Sequence, residues 1–166
     1  MENGGLVRAV KVLPFARIVE YHDMHISTYV IGLKLLLEDG RSFVLVNIPY
    51  EVAEAIKVLN EGEAPPRRQS LFSLLVNHEY FREALGRGLK RVVIDELDYE
   101  TSLYTATVEF EEGGITLKVK MIPSHAIYMA LLAERPIYVL EDLVEEAGDE
   151  DLDLDDDLDD DLGVDL

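Results

Sequence analysis

The chain has 166 residues, 48% of them hydrophobic, and a formal net charge of −19, which is enough sequence for one domain with its own core. It contains no cysteine, so disulfides, thiolate nucleophiles and cysteine metal sites are excluded, and no apolar run approaches the ~18 residues of a membrane span. The opening Met1-Glu2-Asn3-Gly4-Gly5 has neither the basic end nor the apolar stretch of a secretory signal, so a cytoplasmic protein without membrane contact is expected.

The charge is unevenly placed. Of the 34 acids, 15 fall in residues 141–166, which hold no Lys or Arg, so the first 140 residues carry 19 acids against 15 bases. Within that near-balanced body, residues 67–91 hold Arg67, Arg68, Arg82, Arg87, Lys90 and Arg91 against Glu79 and Glu83. Four Asn and one Gln among abundant Glu, Arg, Val and Leu lean toward a thermophilic source.

In chain order, Val7–Val12 alternates as a strand, with Pro14 expected to bend or end it before a second strand at Arg17–Tyr21. After the polar His22–Ser27, a hairpin is predicted from Tyr29–Leu37, a turn at Glu38-Asp39-Gly40, and Ser42–Ile48. A first helix spans about Tyr50–Leu59 and stops before Asn60-Glu61-Gly62. Pro65-Pro66 then breaks the chain. A longer helix, about Gln69–Leu85, places Leu71, Leu74, Leu75, Phe81 and Leu85 on one face, with Ser70 near its cap.

Beyond Gly86-Arg87-Gly88, strands are predicted at Lys90–Ile94, Leu103–Phe110 and Thr116–Met121, separated by turns at Glu96–Glu100 and Gly113-Gly114. Ser124, after Pro123, reads as the N-cap of a helix His125–Ala133 that Arg135-Pro136 ends. A short strand Ile137–Leu140 and a helical turn near Glu141–Ala147 follow. Past Gly148 the sequence is Asp and Leu, a composition expected to be disordered when free.

A constant offset of 74 residues relates the two parts. Arg17-Ile18-Val19 returns as Arg91-Val92-Val93, Glu38-Asp39-Gly40 as Glu112-Gly113-Gly114, and Ile48-Pro49 as Ile122-Pro123. The expected fold is therefore α+β: internally duplicated strand-strand-strand-helix units, about residues 16–85 and 90–147, whose two halves complete one core. The domain is placed at residues 1–147 and the acidic tail at 148–166.

The run from Ile122-Pro123-Ser124-His125-Ala126-Ile127 through Ala130-Leu131 to Pro136-Ile137-Tyr138-Val139 resembles the signature of the bifunctional nuclease domain family. That signature usually reads Arg-Pro-Ser-Asp-Ala-Ile-x-x-Ala-Leu-x-x-x-x-Pro-Ile-(Tyr/Phe)-Val. The similarity covers most of residues 7–147 and is strongest over 90–147, as in an archaeal-like, divergent member that carries an acidic tail. It implies a duplicated barrel-like sheet and hydrolysis of phosphodiester bonds in RNA or DNA. The departures are polar: His125 stands for the usual Asp, Ile122 for Arg, and Arg68-Gln69-Ser70 for a Thr-His-Asp triplet.

Glu51 and His125 occupy equivalent first turns under the 74-residue offset, so a carboxylate orienting an imidazole as general acid or base is the sharpest catalytic reading, with Ser124 beside it. Both residues equally fit an ordinary place in a helix's first turn, where Glu51 suits the dipole. His22-Asp23-x-His25 and Asp95-Glu96-x-Asp98 are candidate ligands for Mg²⁺ or Mn²⁺, or simply polar turns; no spacing identifies the metal. Arg67, Arg68, Arg87, Lys90 and Arg91 are the candidate phosphate contacts for RNA or DNA. The alternative reading is a non-catalytic, homo-oligomeric interaction module that presents its acidic tail to a basic protein.

Overall fold

The computed structural model describes residues 5–62, 64 and 67–148. In these residues the elements run β1 (Leu6–Tyr21), β2 (Ile26–Leu37), β3 (Ser42–Val46), α1 (Tyr50–Glu61), α2 (Leu71–Asn77), α3 (Glu79–Gly88), β4 (Leu89–Asp98), β5 (Leu103–Glu112), β6 (Ile115–Met121), α4 (Pro123–Ala133), β7 (Ile137–Leu140) and α5 (Glu141–Ala147). The seven strands form one mixed sheet in the order β3-β2-β1-β7-β4-β5-β6. Two antiparallel meanders meet at the short β7, which pairs antiparallel with β1 (Val7↔Val139) and parallel with β4 (Val92↔Ile137).

β3 and β6 are the outer strands, so hydrogen bonding does not close the sheet into a barrel. It is nonetheless strongly bent. Five strand spacings separate β3 from β5 in that order, which in a flat sheet would be about 24 Å, yet the Phe43 ring on β3 meets Tyr104 on β5 edge-on at 5.1 Å. Helix α5 packs across this gap against β3 and β4.

The helices fill the concave side. α1 buries Val52, Ala55 and Ile56, an i, i+3, i+4 stripe, and ends on Gly62 at φ 67°, whose N–H reaches the Val58 carbonyl at 2.8 Å. α4 buries Ala126, Ile127, Tyr128, Ala130 and Leu132, residues that point all round its axis. It is accordingly enclosed, touching β4, β5, α1 and α3.

Each half runs three antiparallel strands into a helix, and both Ile-Pro steps sit at the strand-to-helix junction. The hairpins depart from the 74-residue offset. Their first tips, His22–His25 and Tyr99–Ser102, lie 77 positions apart, each ending on a residue at positive φ, His25 at 49° and Ser102 at 58°. The second connection is Glu38–Arg41 in one half and the two-residue Gly113-Gly114 turn, both φ positive, in the other.

Three expectations about element ends are corrected. Pro14 does not end β1, because β7 covers that strand only from Leu6 to Ala9 and a missing N–H at position 14 faces no second ladder. The long helix is two, broken at His78, which sits at φ −115° and ψ 104°. α2 can therefore pack on α1 while α3 turns to pack on α4. The turn placed at Glu96–Glu100 falls at Tyr99–Ser102, because β4 continues through Asp98.

Gly32 on β2 is fixed by crowding. It faces Phe15 of β1, and a Cβ there would lie 2.6 Å from the Leu45 carbonyl oxygen while also striking the Phe15 ring. Gly32→Ala should lower stability by about 1–3 kcal/mol, read as a shifted urea midpoint at unchanged m. A loss below about 0.5 kcal/mol, within ordinary surface-mutation scatter, would mean that the strands separate there at little cost.

Candidate functional site

The start of α4 is built on Pro123 at its first position, where a missing N–H is harmless. The N-cap is Ile122, which offers no side-chain hydrogen bond, so Ser124 does not cap the helix as the sequence suggested. Ser124 instead lies inside the first turn, 1% exposed, with a buried hydroxyl that has no hydrogen-bond partner among the described residues. His125 is half-buried, and its ring meets Phe72 of α2 at 5.0 Å and 61°. One helical turn on, Tyr128 meets the same Phe72 ring at 5.5 Å and its hydroxyl donates to the Phe72 carbonyl. Burial pushes the Tyr128 hydroxyl well above its ordinary range.

Phe72 thus joins the start of α4 to the start of α2. Ser70 caps α2, accepting from the Ser73 N–H at 3.2 Å, and the exposed Arg67 and Arg68 precede it. Phe72 and Tyr128 were not singled out in the sequence; the available signal was Tyr128 at i+3 from His125 on a helix. Glu51 is exposed in the first turn of α1. Among the described residues no hydrogen bond, ion pair or ring contact joins it to His125. Its neighbour Tyr50 is raised by burial, then by the charges of Glu54 and Glu51.

The basic strip divides. Arg67, Arg68 and Arg87 are exposed and form no ion pair among the described residues. Lys90 instead bonds Glu111 at 3.0 Å, and Arg91 forks onto Glu109 at 2.7 and 3.1 Å while lying 6.0 Å from the Tyr138 ring centre. The register of β4 against β5 slips at Lys90 and again at Asp95. Each bulge turns two successive side chains toward the same side. Lys90 and Arg91 therefore both meet acids of β5, and Asp95 and Glu96 both meet Lys120 of β6, at 3.5 and 2.6 Å.

Arg91, Asp95, Glu109 and Lys120 line a groove on the convex side of the sheet, floored by Leu6, Val93 and Leu140. Thr107 donates to Asp95 at 2.7 Å, and Lys118 stands 3.6 Å from Glu109. The pairing of β5 with β6 sets Lys118 opposite Glu109 and Lys120 opposite Thr107.

Asp98 accepts from the N–H groups of Glu100 and Thr101 at 2.9 and 3.3 Å, and bonds from Thr101 and Glu100 hold its carboxyl below the usual range. His22, Asp23 and His25 sit exposed on the other hairpin tip. Among the described residues no three His, Asp or Glu side chains stand together to ligate an ion. Nor is any helix there long and apolar enough to cross a membrane.

A bent, mixed sheet of two meanders around an enclosed helix, with an Ile-Pro-Ser step opening that helix, defines an α+β domain. The family model for the bifunctional nuclease domain matches residues 34–151, and the chain belongs to that family. Two relatives from Mycobacterium tuberculosis are the uncharacterized protein MT1877 of strain CDC 1551 and the uncharacterized protein Rv1829 of strain H37Rv. Each is 31% identical over 119 residues. The match spans 69% of this chain and 65% of each relative's length.

The Arg91–Glu109 pair makes a pH prediction. Glu109, 8% exposed, is held below the ordinary carboxylate range chiefly by its bond from Arg91, with the nearby lysines adding to it. A carboxylate whose pKa is depressed on folding stabilises at neutral pH and loses that contribution as pH falls through its folded value. Glu109→Gln should therefore be less stable than the parent at pH 7, by about 1–3 kcal/mol, and the gap should shrink on acidification below about pH 4. A gap that is constant with pH in chemical denaturation would remove the ion pair as its cause.

Proposed function

We propose that the protein acts on RNA or DNA at the start of α4, cleaving phosphodiester bonds, with His125 transferring the proton and Arg67 and Arg68 holding the phosphates. The observation that carries this reading is the contact of Phe72 with His125, which sets the imidazole beside the segment that bears the two unpaired arginines. An imidazole exchanges protons near neutral pH. Because Ile122 supplies no cap, the first-turn N–H groups of α4 remain suited to an anion. The unpartnered Ser124 hydroxyl lies in that turn. Glu51 adds a carboxylate at the matching turn of α1. We also read the two halves as copies of one unit wrapped toward a barrel, on the strength of their shared strand-strand-strand-helix order and Ile-Pro junctions.

The test is cleavage of labelled single-stranded RNA and DNA in Mg²⁺, in Mn²⁺ and in EDTA. His125→Ala should slow cleavage by about 10²–10⁴, the usual cost of a lost general acid or base. Glu51→Ala, which loses no hydrogen bond to His125, should change it less than about tenfold. Cleavage by His125→Ala at the parent rate would remove this site from the mechanism.

Binding rests on Arg67, Arg68 and Arg87, since Lys90 and Arg91 are already neutralised by Glu111 and Glu109. The acidic run 149–166 lies outside the described residues, and we propose that its 11 acids compete with phosphate for these arginines. Deleting 149–166 should strengthen binding to single strands at low salt. Arg67→Glu with Arg68→Glu should reverse the gain and flatten the salt dependence by about 1.4 log units per decade, at ~0.7 per phosphate contact. Equal affinity of the full and shortened chains would end the masking idea. The neutralisation of Lys90 and Arg91 favours the second reading, a non-catalytic module whose acidic tail binds a basic protein.

A further inference from the structure

Helix α3 sets Phe81, Ala84, Leu85 and Gly88 on one side, an i, i+3, i+4, i+7 stripe. The neighbouring α4 and β5 cover that stripe only in part. An apolar groove of about 340 Å³ stays open there, backed by Phe110 and Met129, and Phe81 is 42% exposed. The charges around it are sorted. At ~100° per residue, Arg82 and Arg87 flank the stripe, while Glu79 and Glu83, the acids of α3, fall on the opposite side. Arg135, just past α4, donates to the Gly86 carbonyl of α3. None of these three arginines forms an ion pair among the described residues. A ligand suited to this groove has apolar groups along one edge and carboxylates on its flanks.

Residues 149–166 carry that pattern. They hold 11 acids and no Lys or Arg, with Leu158, Leu162 and Leu166 spaced by four, which lines one edge of a helix. At ~1.5 Å per residue that series is about 12 Å long, against about 11 Å for Phe81–Gly88 on α3. The reach also suffices. Gly148 and Tyr104 line one cleft, and Phe110 lies six residues further along β5 on the same face, about 20 Å away at ~3.4 Å per residue. The chain from Gly148 to Leu158 spans up to about 33 Å when extended.

We propose that residues 158–166 dock as a short helix in the α3 groove of their own chain, leucines inward and aspartates against Arg82, Arg87 and Arg135. Aspartate and glycine are poor helix residues, so such a helix depends on its seat. The groove covers the leucines, as in other helix-in-groove contacts, and the arginines offset the repulsion between like charges. A tethered segment docks at an effective concentration on the order of millimolar, so a shallow seat is enough. The inference goes beyond the masking of phosphate contacts proposed above, because it gives the leucines a place. It uses neither His125 nor Arg67 and Arg68, and stands without the nuclease reading.

The chain has no cysteine, so Asp160→Cys gives a single attachment point for a nitroxide in the full-length protein. The nitroxide should broaden the amide signals of residues 81–88 and of Met129. Adding Leu158→Asp with Leu162→Asp should abolish the broadening and speed amide exchange across residues 81–88 by about tenfold. Ala84→Glu, a carboxylate placed on the groove wall at an exposed position, should also abolish the broadening. No broadening in the parent, or broadening that survives the leucine substitutions, overturns the proposal. Isotope-labelled chains without nitroxide, mixed with unlabelled chains that carry it, should stay sharp; broadening there assigns the tail to a neighbouring copy and overturns docking within one chain. Binding to single strands separates this from masking. If deleting 149–166 strengthens that binding while the nitroxide marks no groove residue, masking holds and the docked helix is overturned.

Discussion

Helix α4 has apolar side chains on every side, so it is stable only where something covers it from every direction. The bent sheet supplies one side through β4 and β5, and α1 and α3 supply others. That demand accounts for the break at His78. A single straight helix from Ser70 onward would follow either α1 or α4, whereas two short ones cover both. Phe72 shows the same constraint at the scale of one ring, since it packs against His125 and Tyr128 together.

The enclosure also sorts the polar groups. On the concave side almost everything is apolar; Ser124 and the half-buried His125 open α4, and Ser73 is buried in α2. On the convex side, two bulges in β4 double the charge aimed at β5 and β6, and the result is a ladder of neutralised pairs. Lys90 and Arg91 are thereby spent within the sheet, while Arg67, Arg68 and Arg87 stay open to solvent. A strip that is net basic in sequence becomes two populations of cation with different capacities for an anion.

Local signals in the sequence were reliable where the responsible groups are neighbours in the chain. Ser70 caps α2 because an N-cap needs only the N–H three residues on. Gly113-Gly114 turns where two positive φ values are required, and both Ile-Pro steps open helices. The same reasoning misplaced Ser124, since Pro123 could equally be the residue before the cap or the first residue of the helix, and the packing of α4 chose the second. Pro14 was read as bending or ending its strand because the sequence does not say that β1 lacks a second neighbour there.

The sequence by itself determined where the chain is strand and where it is helix, the concentration of acid toward the C-terminal end and the family resemblance, because each rests on periodicity, turn chemistry or residue identity along the chain. Only the tertiary structure decided which side chains meet. His125 lies against Phe72, 53 positions earlier, and Arg91 is matched to Glu109 by a bulge that shifts its register. Glu51, equivalent to His125 by spacing, shares no bond with it. Sequence distance fixes where a residue falls in its own element. Which residues meet depends on how the elements pack, and that is set by enclosing α4.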